Sequence, residues 1–324
     1  MTILLTGAAG FIGAFTAKTL LERGEHVIGV DNLNSYYSPR LKQYRLDLLG
    51  KFPEFEFHKL DITDQDAIEQ ILRTGKVRRI VHLAAQAGVR YSIENPSAYE
   101  HSNLAGHLSI LEAARKTDIE HLVYASSSSI YGANTKTPFC ETDMTDSPVS
   151  FYGATKKSNE LMSTSYANIH KLPQTGLRFF TVYGPAGRPD MAYWIFTEKM
   201  LAGEPIDVFN HGKMGRDFTY IGDIVDGLIA ALDTPPSAED KFHRIFNLGN
   251  DHPEELMTLI TLLEDALGIK ADKNFCDMQK GDVERTWADI DYARKTLGYA
   301  PKIRLEDGIK HFAQWRLSLN EQLI

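Results

Sequence analysis

Cysteine is almost missing from this chain: among 324 residues only Cys140 and Cys276 are thiols, and they lie far apart with no partner pattern around them. A disulfide framework or a cysteine zinc site needs several thiols at close spacing, so neither is expected. No His, Asp or Glu spacing resembles a metal site either, and no metal is expected. An excess of basic charge is also missing, since the formal net charge is -8. Binding nucleic acid over a broad face needs clustered Lys and Arg, so a nucleic-acid partner is not expected. A small anionic ligand stays open, because a few inward-pointing arginines can serve a diphosphate whatever the total. Long apolar runs are missing too, and no segment suits a bilayer span of about 20 residues. The opening MTILLTGAAGFIG passes from a short apolar run into glycines with no basic region or recognisable cleavage site, which does not read as a signal peptide. The expectation is a cytoplasmic protein without a membrane partner.

What is present is an ordinary globular composition, 43% hydrophobic and 24% charged, long enough for two lobes. Short apolar or β-branched runs (TILLT, HVIGV, FEFHKL, RIVHLA, HLVYAS, TGLRFF) alternate with amphipathic stretches at 11–23, 64–73, 98–116 and 152–170. This alternation predicts an α/β fold, a doubly wound parallel sheet with helices on both faces and ligands at the carboxyl ends of its strands. Beyond about residue 181 the regularity breaks. Pro and Gly punctuate YGPAGRPD, AGEP and NHGKMG, and TPPSAED reads as an exposed loop. Residues 1–180 are expected to form a dinucleotide-binding domain. Residues 181–324 are expected to form mainly a smaller α/β substrate lobe, with some segments returning to the sheet.

TGAAGFIG places Gly7, Gly10 and Gly13 between the first strand and a helix. Three glycines alone fit a mere turn. Here they follow a strand, open a helix whose N-terminal N–H groups suit a pyrophosphate, and precede Asp31 at the end of the second strand. A carboxylate there accepts from both hydroxyls of the adenosine ribose and repels a 2′-phosphate, so NAD is expected over NADP. Asp61 and Ile62, in KLDITD after the third strand, are expected to flank the adenine.

FYGATKKSNE sets Tyr152 and Lys156 four residues apart, on one face of a helix. Such a pair arises by chance in many helices, but here it follows a dinucleotide loop and the serine-bearing strand end ASSSSIYG in order. Together with HLAAQAGVR and LRFFTVYGP, these motifs make the chain resemble an extended short-chain dehydrogenase/reductase of the nucleotide-sugar epimerase/dehydratase group, nearly end to end. VDNLNSYYSPRLKQYRL, GRPDMA and PIDVFNHGKMGRDFTYIGDIV resemble more narrowly the UDP-glucuronate 4-epimerases.

The resemblance implies a Rossmann-type sheet, bound NAD and a UDP-sugar substrate epimerised by transient oxidation at C4. It implies that Tyr152 is the base, with its ionised form favoured by the Lys156 ammonium and the nicotinamide charge. Ser127 hydrogen-bonds the reacting hydroxyl, with Ser129 beside it, and Lys156 also holds the nicotinamide ribose. Coenzyme contacts are expected at Gly7, Gly10, Phe11, Ile12, Gly13, Asp31, Asn32, Asp61, Ile62, Leu83, Ala84, Ala85, Ser126, Tyr152 and Lys156. Related dehydratases carry an acidic pair, and decarboxylases a glutamate, where this chain has Ser128 and Ser129. Oxidising a glucuronate at C4 creates a β-keto acid prone to losing CO₂. The serine hydroxyls and Thr181 are therefore expected to hold the carboxylate in an unreactive orientation. The serines also fit a second reading, as a polar strand end capping the next turn.

For the diphosphate, Arg216 and Arg285 are the expected ligands, since planar guanidiniums donate in a fork. Asp282 is expected on the uridine ribose, and Ile206–Asn210, with Val208 at its centre, around the uracil. Arg188 and Arg90 are further substrate candidates, although each could simply tie a loop to carbonyls. His82 reads as a packing residue and His211 as a loop donor. Rival readings are a 4-epimerase of UDP-glucose or a UDP-N-acetylhexosamine, a dehydratase or decarboxylase, and a non-catalytic NAD sensor, which has no need of Tyr152 and Lys156. A homodimer through the helices near 98–116 and 152–170 is implied by the resemblance, although the apolar faces of those helices serve a monomer's core equally well.

Overall fold

Each apolar strand of the first half is followed by a helix that can bury one of its faces, and in the computed structural model, which describes residues 1–279 and 281–319, these units stack into a parallel sheet. In chain order they are β1 (Thr2–Thr6), α1 (Phe11–Glu22), β2 (His26–Asp31), α2 (Pro39–Leu49), β3 (Phe55–Lys59), α3 (Gln65–Thr74), β4 (Arg79–His82), α4 (Tyr91–Glu94), α5 (Pro96–Tyr99), α6 (Gly106–Arg115), β5 (His121–Ser127), α7 (Phe151–His170) and β6 (Gln174–Phe179). The second half adds β7 (Thr181–Tyr183), α8 (Ala192–Leu201), β8 (Ile206–Val208), β9 (Gly215–Tyr220), α9 (Ile221–Asp233), β10 (His243–Leu248), β11 (Pro253–Glu255), α10 (Leu256–Leu267), β12 (Lys273–Phe275), α11 (Asp291–Leu297) and α12 (Leu305–Ser318).

The main sheet runs β10-β6-β5-β4-β1-β2-β3, and its neighbours pair in parallel. Side chains alternate across it, so Leu5, Val81, Val123 and Leu177 join the core with α1 and α9, whereas Leu4, Ile80 and Leu122 join the core with α3 and α6. The strand order reverses beside β1, between β2 and β4. A crevice opens there at the carboxyl ends of the strands.

The stretch 98–116 departs from the single helix its periodicity predicts. Pro96 opens α5, residues Glu100–Ala105 form a π-turn, and α6 starts only at Gly106. The wider turn carries Asn103 inward, where its Oδ1 accepts from the Gln86 amide at 2.8 Å and its Nδ2 donates to Thr155 Oγ1 at 3.0 Å. The loop after β4 is thereby fastened to α7. In the second half, β7, β9 and β11 make one small sheet and β8 and β12 another. They pack with α8, α10 and α12 on a separate core built on Trp194, Leu259, Ile309 and Phe312. Between this lobe and the main sheet lies a cavity of about 870 Å³.

Candidate active site

The floor of the cavity at the β1 end is backbone. Gly7 adopts φ +75°, and a Cβ there would stand 2.8 Å from the Ala84 amide nitrogen. At Gly13 a Cβ would lie 2.0 Å from the Gly7 carbonyl oxygen, so any side chain would drive α1 off the loop. Helix α1 starts at Phe11 with no side-chain cap, leaving its first N–H groups for a ligand. Asp31, nearly buried at the end of β2, accepts from the amides of Ala9 at 3.2 Å and Leu33 at 2.8 Å. These bonds fix the carboxylate on the cavity wall. Asn32, Ile62, Leu83, Ala84 and Ala85 continue the same wall, whereas Asp61 stands behind it, accepting from Asn32 Nδ2 at 2.9 Å and Thr63 Oγ1 at 2.8 Å.

The serine run caps the turn that follows it. Ser127 is the N-cap of a 3-10 turn over Ser128–Tyr131, its Oγ accepting from the Ser129 amide at 3.2 Å. The same hydroxyl lies in hydrogen-bonding reach of the Tyr152 phenol. Ser126 turns the other way and donates to Glu160 at 2.7 Å. Glu160 in turn forms a two-bond pair with Arg178, both contacts 2.9 Å and both side chains 4% exposed. Arg178 also reaches the Tyr131 hydroxyl, which donates to Asn247. This buried network locks the end of β5 to α7, β6 and β10, so the serines are held from behind.

Helix α7 begins with Ser150, whose side chain accepts from the Gly153 amide at 3.0 Å. Tyr152 follows in the first turn, and Lys156 lies one turn later on the same face. The Lys156 ammonium is buried, and among the described residues it is bonded only to the Ala125 carbonyl, at 2.9 Å. Burial pulls its pKa down to about 8. Burial raises the pKa of the Tyr152 phenol, and the Ser127 hydrogen bond and the positive charge of Arg188 work against that rise. Arg188 is thus a further cation whose charge acts on the phenol.

Arg188 reaches the wall from the loop after β7. Its Nε and a terminal nitrogen clasp the two oxygens of Asp190 at 3.0 and 2.5 Å, and Tyr36 donates to the same carboxylate at 3.1 Å. Thr181, Ser128 and Ser129 line the cavity nearby. At the far end, Arg216 lines the wall while donating to the carbonyls of Gly215 and Glu284. Burial lowers its pKa, which the Asp282 charge counters. Arg90 pairs with Asp282 at 3.3 Å and lies 5.3 Å over the Phe209 ring.

Four residues expected on the substrate, Ile206, Val208, Asn210 and Arg285, are not on the wall. Val208 is fully buried on the core side of β8, between Asp207 and Phe209, which do line the cavity. Arg285 lies along Gly215 and ends in an ion pair with Glu255, with its side chain 43% exposed. Tyr36, Lys42, Asp190 and Glu160 are wall or supporting residues that sequence reasoning missed. Of these, only Asp190, two places after Arg188 in GRPD, carried a signal.

Residues 3–249 match the model of the NAD dependent epimerase/dehydratase family. The UDP-glucuronate 4-epimerase 4 of Arabidopsis thaliana is 47% identical over 331 residues, covering 98% of this chain and 76% of the relative. The crystal structure of UDP-glucuronic acid 4-epimerase from Bacillus cereus with UDP-glucuronic acid and NAD superposes with a TM-score of 0.90 at 34% identity, covering 97% of this chain and 98% of that one. UDP-glucose 4-epimerase from Thermotoga maritima with UDP-glucose gives a TM-score of 0.88 at 32% identity, covering 98% and 99%.

Proposed function

Because the chain belongs to the NAD-dependent epimerase/dehydratase family, we propose that it is a UDP-glucuronate 4-epimerase, interconverting UDP-glucuronate and UDP-galacturonate. One observation carries the choice of sugar: the strand end beside Tyr152 carries hydroxyls, from Ser127, Ser128, Ser129 and Thr181, and Arg188 lines the same cavity. Hydroxyl donors and one cation suit a carboxylate-bearing sugar. A carboxylate on the protein at Ser128 or Ser129 would repel it.

The residues present fit NAD. The glycine loop and the uncapped N-terminus of α1 take the pyrophosphate, Asp31 takes the adenosine ribose, and the Lys156 ammonium has N–H groups to spare beyond its bond to Ala125. When bound, NAD supplies the hydride acceptor and donor for C4. Tyr152 takes the proton from the sugar O4 and returns it, while Ser127 orients that hydroxyl. Arg188 helps to hold the phenol in its ionised form. Inversion requires the ring to turn about its phosphate linkage before the hydrogen comes back, and the hydroxyl set with Arg188 keeps the carboxylate from an orientation that releases CO₂. Arg90, Arg216 and Asp282 are the groups proposed for the uridine diphosphate.

The same reading includes a division into lobes near residue 180, a cytoplasmic placement and a homodimer. Among the described residues no helix is long and apolar enough to cross a membrane. Leu108 on α6 and Leu161 on α7 are 44% and 59% exposed, which supports pairing of these helices with their copies. Proton NMR of the purified protein with UDP-glucuronate tests the activity. The anomeric signal of UDP-galacturonate is expected to grow. A UDP-pentose alone, or turnover confined to UDP-glucose, would overturn the reading.

A further inference from the structure

The connection from β2 to α2, with the first turns of α2, crosses from the coenzyme side of the cavity to the opposite lobe. Lys42, Arg45 and Tyr36 each help to tie it down. Lys42, 4% exposed, donates to the carbonyl and the side-chain oxygen of Asn34 at 2.7 and 2.9 Å, which holds the start of the segment. Arg45, 1% exposed, spends its N–H groups on the Ala186 carbonyl at 3.0 and 2.8 Å, the Gly187 carbonyl at 2.7 Å, the Ala9 carbonyl at 2.9 Å and the Tyr37 hydroxyl at 2.7 Å. It therefore joins the glycine loop to the segment just before Arg188.

The third tie is of another kind. Tyr36 is half-buried on the cavity wall, with its ring 4.8 Å from Tyr91. Its hydroxyl donates to Asp190 and sits so close to Gly88 that a Cβ there would meet it at 2.8 Å. One hydroxyl thus closes three wall segments on one another, and a single hydrogen bond holds the closure. Arg45 is buried and fully bonded, so it cannot let go without unfolding its surroundings. Tyr36 can.

We propose that residues 32–45 are a strap that retains the coenzyme, and that the Tyr36–Asp190 hydrogen bond is its releasable fastener. A coenzyme regenerated in every turnover gains nothing by leaving, and its departure between oxidation and return would strand an oxidised sugar. Asp190 also clasps Arg188, so the fastener ties coenzyme retention to the side of the cavity where the sugar reacts. The inference rests on the coenzyme site described above and not on the identity of the sugar.

The test is exchange of bound NAD for radiolabelled NAD in the holoprotein, followed by rapid filtration. Tyr36→Phe and Asp190→Asn are expected to exchange about tenfold faster than the parent protein, in line with loss of one hydrogen bond to a charged acceptor. Tyr44→Phe, which removes another hydroxyl of residues 32–45 that accepts instead from Trp315, is expected to exchange at the parent rate. Parent-like exchange in both Tyr36→Phe and Asp190→Asn overturns the proposal, as does equal acceleration in Tyr44→Phe. Free exchange by the parent during active epimerisation also overturns it and leaves the epimerase reading intact. Retention that depends on Tyr36 without turnover of UDP-glucuronate supports the strap and defeats the substrate reading.

Discussion

Lys156 donates to the carbonyl oxygen of Ala125 at 2.9 Å, one helical turn beyond Tyr152. The bond ties the helix that carries the phenol to the strand whose end carries Ser127. Base and hydroxyl are therefore held by one rigid joint between α7 and β5, and the chemistry proposed at C4 depends on that joint.

Tyr152→Phe removes the proton acceptor and leaves the glycine cradle and Asp31 untouched. The rate of epimerisation is expected to fall about 10²–10⁴-fold, the usual worth of a positioned acid–base group. Steady-state kinetics gives the rate, and the absorbance of nucleotide released on denaturation is expected to show NAD still bound.

Ser128→Ala and Thr181→Ala each remove a hydroxyl proposed to hold the sugar carboxylate. The share of UDP-pentose in the products is expected to rise several-fold, as follows from about 1 kcal/mol of lost hydrogen bonding. Product ratios by NMR measure this, and variants that epimerise with no added CO₂ would refute the role.

Asp31→Ser takes away the carboxylate that Ala9 and Leu33 hold on the wall. NAD affinity is expected to fall, and discrimination against NADP is expected to fall further, because the charge that repels a 2′-phosphate is gone. Titration of the stripped protein with each dinucleotide checks the ratio.

His82 and His107 stack at 5.3 Å in the core behind Lys156. Burial lowers the pKa of His82 to about 3, and burial holds His107 well below the ordinary histidine value. A depressed folded-state pKa means that the unfolded chain binds more protons below about pH 6.5. The stability contributed by keeping each ring neutral is complete above that pH. It is lost at about 1.4 kcal/mol per pH unit per ring as the pH falls toward the folded value. Thermal melts from pH 7 to 5 are expected to show this slope, and His107→Gln is expected to show a shallower one.

Glu160→Gln leaves the Arg178 guanidinium buried without its counter-charge and weakens the grip on Ser126. The loss of stability is expected to be about 3–5 kcal/mol, larger than for any exposed ion pair. Urea melts measure it.

The parts of the site legible in the sequence are those whose geometry is local. Gly7, Gly10 and Gly13 follow from a strand–turn–helix, Asp31 from the end of the next strand, and Tyr152 with Lys156 from helical spacing. Residues whose direction depends on neighbours were not legible. Val208 and Asp207 are adjacent, and strand alternation sends one to the core and the other to the cavity. Arg285 has the right charge and register, but its guanidinium lies over Gly215 and pairs with Glu255. The Tyr36–Asp190 and Glu160–Arg178 contacts join separate elements, and no spacing within either element announces them.

The most direct measurement uses UDP-glucuronate carrying deuterium at C4, turned over in ordinary water and read by NMR. If the C4 hydrogen leaves as hydride to a bound coenzyme and returns to the other face, the UDP-galacturonate formed keeps its deuterium at C4. UDP-galacturonate with ordinary hydrogen at C4, after complete turnover, would contradict the account.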